Sequence, residues 1–200
     1  MKRAIMSYLN SKNLIYICFV ISFTLIGMVS MSCGNEKADE IAKDVKAFME
    51  KKVEIPKDRM DKRYCAMFMD STSIRSVYLV KFFDSISCSP CLYSSIANHE
   101  AANIEKNKNV EFLYIINIPK QKIEETYIGL CSKRVKGTVY LDTCNAFLKA
   151  NTHIPENELF HTFVINNDGK VLMVGDPFKN KKMEVLLDKV ISKEKKIFKK

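Results

Sequence analysis

From residue 77 onward, apolar positions gather into short dense runs separated by stretches with helical spacing. Val77-Tyr78-Leu79-Val80-Lys81-Phe82-Phe83 is a nearly continuous β-branched and aromatic run, the pattern of a strand buried on both faces. Residues 84–87 read as a turn, and a helix follows that carries Leu92, Ile96, Ala97, Ala101 and Ile104 before Asn107 and Asn109 break it. The run 110–118 predicts a second buried strand, 121–132 a second helix, 138–141 a short strand and 143–150 a short helix. Thr162-Phe163-Val164-Ile165 and residues 170–174 predict two strands joined at Asn166-Asn167-Asp168-Gly169, with Asp-Gly at the tight position of a hairpin. A last helix follows Pro177, with Met183, Val185, Leu186, Val190 and Ile191 on its inner face. Upstream, Ile41, Val45, Phe48 and Met49 recur among charges over 36–52, an amphipathic helix. Val53-Glu54-Ile55-Pro56 ends it, and 57–76 has no clear period, which predicts an irregular or short-stranded lead-in. The order predicts an α/β fold. Its central mixed sheet is flanked by helices, because right-handed crossovers between parallel strands cover both sheet faces.

The N-terminus follows a different pattern. Lys2, Arg3 and Lys12 precede an uncharged apolar run over 14–29, the form of a signal sequence and short for a spanning helix. It runs into Ser30-Met31-Ser32-Cys33-Gly34-Asn35. That arrangement resembles a bacterial lipoprotein signal of the looser Ser-Cys-Gly type found in Bacteroidota. The resemblance implies lipid on Cys33 as the first mature residue; the departure is Ser30, where an aliphatic residue is usual. The alternative is an uncleaved signal anchor with Cys18 and Cys33 as incidental thiols. Both place the domain outside the cytoplasm, with residues 1–32 as signal peptide and 33–76 as anchor, helix and lead-in.

Charge then means less than it first suggests. Without Lys2, Arg3 and Lys12, the 32 basic residues fall to 29 against 23 acidic ones, and the formal +9 falls to +6. The bases are scattered or packed into 193–200, with none of the patterning that nucleic-acid recognition needs. A solvated helix end accounts for that tail better than attraction to an anionic membrane. Among the methionines, Met60, Met67 and Met69 have no repeated spacing and read as core filling rather than soft-metal ligands.

Seven cysteines reduce to five in the folded part: Cys65, Cys88, Cys91, Cys131 and Cys144. An odd number leaves at least one unpaired, modified or awaiting a partner. Cys88-Ser89-Pro90-Cys91 stands between a buried strand and the start of a helix. There, with Cys88 at the N-cap, its sulfur faces unsatisfied first-turn amides and the positive end of the helix dipole. Both favour thiolate and make Cys88 the attacking group, while Cys91, one turn deeper and more shielded, is the resolving thiol. Pro90 suits the first turn, where a missing N–H is harmless.

With these residues in view, 77–195 resembles the thioredoxin-fold thiol-disulfide oxidoreductases of the TlpA-like kind, followed by a basic tail at 196–200. The likeness rests on Asp84-Ser85-Ile86-Ser87-Cys88-Ser89-Pro90-Cys91 and on His161 to Lys170, reading His-Thr-Phe-Val-Ile-x-x-Asp-Gly-Lys. It implies reduction or exchange of disulfides in exported partners, electrons from a membrane-borne reductant, a periplasmic or surface location and no dissociable cofactor. Two departures matter. Ser87 replaces the aromatic residue usual before the first cysteine, and Phe160 stands where the family's groove-shaping cis-proline falls, with Pro155 five residues too early.

Rival chemistries use the same residues. Cys88, Cys91 and His161 could form a soft copper site like that of Sco-type chaperones, although those use Cys-x-x-x-Cys. Zinc is less favoured because no second CxxC completes four ligands. A peroxiredoxin-type reading lacks the Pro-x-x-x-Thr-x-x-Cys pattern. A binding domain with a structural disulfide is the non-enzymatic alternative. His161 otherwise reads as partly buried, His99 and His153 as solvated, and Cys65 as a small core residue. Cys131 and Cys144 could be bridged or could both be buried and inert, because spacing alone does not decide.

Overall fold

The computed structural model describes residues 37–65, 77–84, 89–103 and 110–198. Residues 1–32, expected to be a signal peptide, together with Cys33, Met67, Met69 and residues 85–88, which include Cys88, lie outside the described residues. No helix among the described residues is long and apolar enough to cross a membrane.

Helix α1 spans residues 37–49; its first two turns, 37–44, are exposed. Six strands follow: β1 (Asp61–Arg63), β2 (Val77–Phe83), β3 (Val110–Asn117), β4 (Thr138–Asp142), β5 (Thr162–Asn166) and β6 (Val171–Val174). The helices between and after them are α2 (Ser89–Asn103), α3 (Ile123–Ser132), α4 (Ala146–Ala150) and α5 (Lys181–Phe198). They form one sheet in the order β1-β4-β3-β2-β5-β6. β2, β3 and β4 run parallel, with Leu79 opposite Phe112 and Ile115 opposite Tyr140. β5 lies antiparallel on the other side of β2, with Leu79 opposite Val164, and β6 completes the hairpin. A central parallel pair joined through a helix, followed by an antiparallel hairpin and a closing helix, is the thioredoxin-like fold.

Alternation along each strand explains the layers. Val77 and Leu79 of β2, Phe112, Tyr114 and Ile116 of β3, and Val164 of β5 face α2, α3 and α5, where Tyr93, Ile96, Leu130 and Leu187 meet them. Val80, Phe82, Leu113, Ile115, Tyr140 and Phe163 face the other way, against Phe48 of α1, Phe147 of α4 and Phe160. Each such side chain withdrawn from water contributes about 1.5–3 kcal/mol.

The described part of the lead-in, 57–65, is short-stranded, one of the two forms expected for it. β1 pairs antiparallel with β4, setting Lys62 opposite Tyr140, and Val53 and Met60 are buried in the core. The apolar residues that join the core are spaced too irregularly to show a period, and three residues of strand are too few to alternate visibly. At the hairpin, Gly169 has φ of +78°, its N–H donates to Asn166 O at 3.0 Å, and its carbonyl accepts from the Val53 N–H at 2.8 Å. A Cβ there would lie 2.3 Å from the Val53 carbonyl oxygen; only glycine fits both the turn and this approach.

Candidate functional site

The central strand β2 ends at Phe83, and α2 begins at Ser89, directly after Cys88. Cys91, the third residue of α2, is disulfide-bonded. Cys65, Cys131 and Cys144 carry free thiols, so the partner of Cys91 lies outside the described residues. Cys91 is exposed; Cys88, against which it was expected to be the more shielded thiol, lies outside the described residues. The helical period gives the reason for the exposure: Tyr93, Ile96 and Glu100 mark the buried face of α2, and Cys91 lies two residues before Tyr93, on the opposite side.

Phe160 and His161 stand beside the end of β2. The Phe82 N–H donates to the His161 carbonyl at 2.8 Å, and the two rings meet edge to face at 5.2 Å between centroids. Phe160 is 1% exposed and ends a 3-10 turn over Glu158–Phe160, edge to face with Phe48 at 6.2 Å. It is therefore a core side chain, and the groove-shaping position of a proline is not reproduced by it; every peptide bond among the described residues is trans. Leu159, on the same turn, is 53% exposed and supplies the apolar surface next to His161. Nothing in its sequence context marked it. Among the described residues no group of three or more His, Cys, Asp or Glu could hold a metal ion; Cys88, which the copper alternative requires, falls outside them.

A polar cluster spans the interface between α2 and the sheet. Lys81 of β2 reaches Asp176 at 4.0 Å, and His99 of α2 lies 3.2 Å from the same carboxylate. The His99 ring packs edge to face on Phe112 and Phe178, so this histidine is not solvated as expected. Burial pushes the Asp176 carboxyl up, but the hydrogen bonds from His99 and the Phe178 amide and the charges of His99 and Lys81 hold it below its ordinary value. Sequence carried one signal for the cluster: Lys81 is the single charge within β2. His153, likewise expected in solvent, sits 6.1 Å from Phe48, and burial, with the charge of Lys51, lowers its pKa.

Glu100, one turn beyond Ile96, is 2% exposed and accepts from the Lys136 and Gly137 amides at 2.6 Å each, tying α2 to the connection after α3. Burial raises its pKa, although both amides oppose that shift. A cleft lined by Ile55, Tyr78, Leu113, Ile165 and Asn166 opens at the other end of β2, away from the motif.

The remaining cysteines do not follow the expected pairing. Cys144 is exposed, with its sulfur 3.8 Å from the Arg59 carbonyl, whereas Cys131 neighbours Cys65. Cys131 and Cys144 are thus neither bridged to each other nor both buried. The Asp142 carboxylate pins the start of α4 by accepting from Ala146 at 2.9 Å and Phe147 at 2.8 Å, and it also accepts from the Cys144 amide at 3.2 Å, just past the end of β4.

No protein-family model matches the chain, and no curated protein matches it. Among solved structures, a thioredoxin-like protein in its oxidised form is 16% identical, covering 70% of this chain and 94% of its own at a TM-score of 0.44. An uncharacterised thioredoxin-like protein from Porphyromonas gingivalis is 18% identical, covering 59% and 75% at 0.40. The thioredoxin domain of a thiol-disulfide oxidoreductase from Bacteroides vulgatus is 12% identical, covering 58% and 79% at 0.39. Likeness at this distance bears on neither substrate nor reaction.

Proposed function

We propose that the chain is an envelope thiol-disulfide oxidoreductase in which Cys88 attacks and Cys91 resolves. The observation that carries this reading is a disulfide-bonded Cys91 on the first turn of a helix that opens directly after Cys88. In the reduced protein the Cys88 thiolate, stabilised by first-turn amides and the helix dipole, attacks one sulfur of a substrate disulfide. The substrate S–S bond breaks, one substrate thiolate leaves, and a mixed disulfide forms on Cys88. Cys91 then attacks the Cys88 sulfur and expels the second substrate thiolate. Two electrons pass to the substrate and leave a Cys88–Cys91 disulfide, which a membrane-borne dithiol reduces again. The exposure of Cys91 suits that return step, because an incoming dithiol has access to the motif. Substrates are exported proteins, and lipid on Cys33 holds the domain at the membrane.

With Cys91→Ser, Cys88 should accumulate mixed disulfides with envelope proteins, resolved on non-reducing gels. Disulfide reduction should fall to the rate of the supplied dithiol alone in both Cys88→Ser and Cys91→Ser. Recovery of no adducts beyond the Cys88→Ser control would reduce the motif to a structural bridge in a binding protein. Stoichiometric copper retention dependent on His161 would replace the reading with a metal-binding one.

A further inference from the structure

The short segment after β1 lies along successive turns of α3. Arg63 pairs with Glu124 at 3.0 Å, and its guanidinium stacks 5.1 Å from the centre of the Tyr127 ring. The Tyr127 hydroxyl donates to the Tyr64 carbonyl at 3.2 Å. One turn further on, Cys131 is a close neighbour of the Cys65 thiol. Glu124, Tyr127 and Cys131 are spaced three and then four residues apart, on a single helix face, so the three positions form a row that brings two thiols from distant parts of the chain into register. Both are free and only partly buried, and Cys65 packs against the helix-side core. Neither belongs to the proposed exchange site.

From this juxtaposition we infer that Cys65 and Cys131 are a second redox centre, a dithiol that closes to a disulfide and staples the lead-in to α3. A small disulfide such as oxidised glutathione supplies the oxidising equivalents. The Cys131 thiol, on the helix face, makes the first attack. Its sulfur breaks the glutathione S–S bond and forms a mixed disulfide, releasing one glutathione thiolate that takes up the Cys131 proton. Cys65 then attacks the Cys131 sulfur and releases the second glutathione, which carries off the Cys65 proton. One Cys65–Cys131 bond forms and two glutathione thiols are produced. The bond closes a long loop across the lead-in and β2 to α3, where loop-closure entropy favours a large stabilisation.

The test uses the full chain in detergent, carrying Cys88→Ser and Cys91→Ser so that the exchange motif cannot contribute. After equilibration with oxidised glutathione and blocking with a maleimide, peptide mapping should find Cys65 linked to Cys131 and Cys144 blocked. The thermal midpoint should rise by roughly 10 °C over the same protein carrying Cys131→Ser, with Cys65→Ser matching the latter. Cys65 and Cys131 both recovered as maleimide adducts, or Cys131 linked to Cys144, would overturn the inference. Either result leaves the Cys91 trapping experiment unaffected, because that experiment depends only on the motif.

Discussion

Two sulfur sites sit on neighbouring helices of one fold and are built in opposite ways. Cys91 is exposed on the first turn of α2, where facing outward gives access. Cys65 and Cys131 are partly buried, Cys65 against the core, and are aligned by a row of side-chain contacts along α3. The first arrangement suits repeated opening and closing in exchange with other proteins. The second suits a bond that, once made, is kept. Identical chemistry thus takes different roles according to whether the sulfur faces solvent at a helix start or packing at a helix end.

The strongest way to break the comparison is to cut a polar strap between α2 and the segment just beyond α3. Glu100 of α2 accepts from the amides of Lys136 and Gly137, just beyond α3. Glu100→Ala leaves both amides without their acceptor and should cost about 3 kcal/mol in denaturant unfolding. If the sites are held separately, adduct formation at Cys88 should persist in the folded fraction.

Acid sharpens the same comparison on the motif side. Asp176 links Lys81 of the strand leading into the motif with His99 of the motif helix, and its folded pKa lies below the ordinary carboxylate value. Such a group contributes stability that is present above its unfolded pKa and is lost as pH falls through its folded pKa. Thermal midpoints should therefore fall more steeply below about pH 4 in the native chain than in Asp176→Asn. A parallel pair of curves would remove the cluster from the account.

The smallest effect belongs to the α3 end. Arg134 has φ of +57°, its N–H donates to the Cys131 carbonyl at 2.9 Å, and the Val135 N–H donates to the Leu130 carbonyl at 3.3 Å. This is a Schellman closure with arginine where glycine is preferred. Arg134→Gly should stabilise the domain by about 0.5–1 kcal/mol, measured by denaturant midpoint, with no effect on the exchange motif.

Much of the fold was legible in the sequence because buried parallel strands write themselves as dense apolar runs. Residues 77–83 and 110–117, the Asn-Asn-Asp-Gly hairpin and the closing helix appear where the pattern places them. β1 was legible only as a short-stranded lead-in, since three residues reading Asp-Lys-Arg carry no apolar signal that would fix its place. The candidate motif was legible as a strand, two cysteines and a helix start. Its surroundings were not, because Phe160, His99 and Asp176 owe their roles to contacts across the sheet. The Cys65–Cys131 juxtaposition links positions far apart in the chain, and no spacing rule connects them.

The central claim is that the Cys91 disulfide is the exchangeable bond of a CxxC motif. Peptide mapping of the native, non-reduced full chain, repeated across a glutathione redox series, tests it most directly. The account predicts Cys88 as the partner, with a linkage that opens and closes reversibly within the series. Linkage of Cys91 to any other cysteine, or a Cys88–Cys91 bond that no glutathione ratio opens, would contradict it.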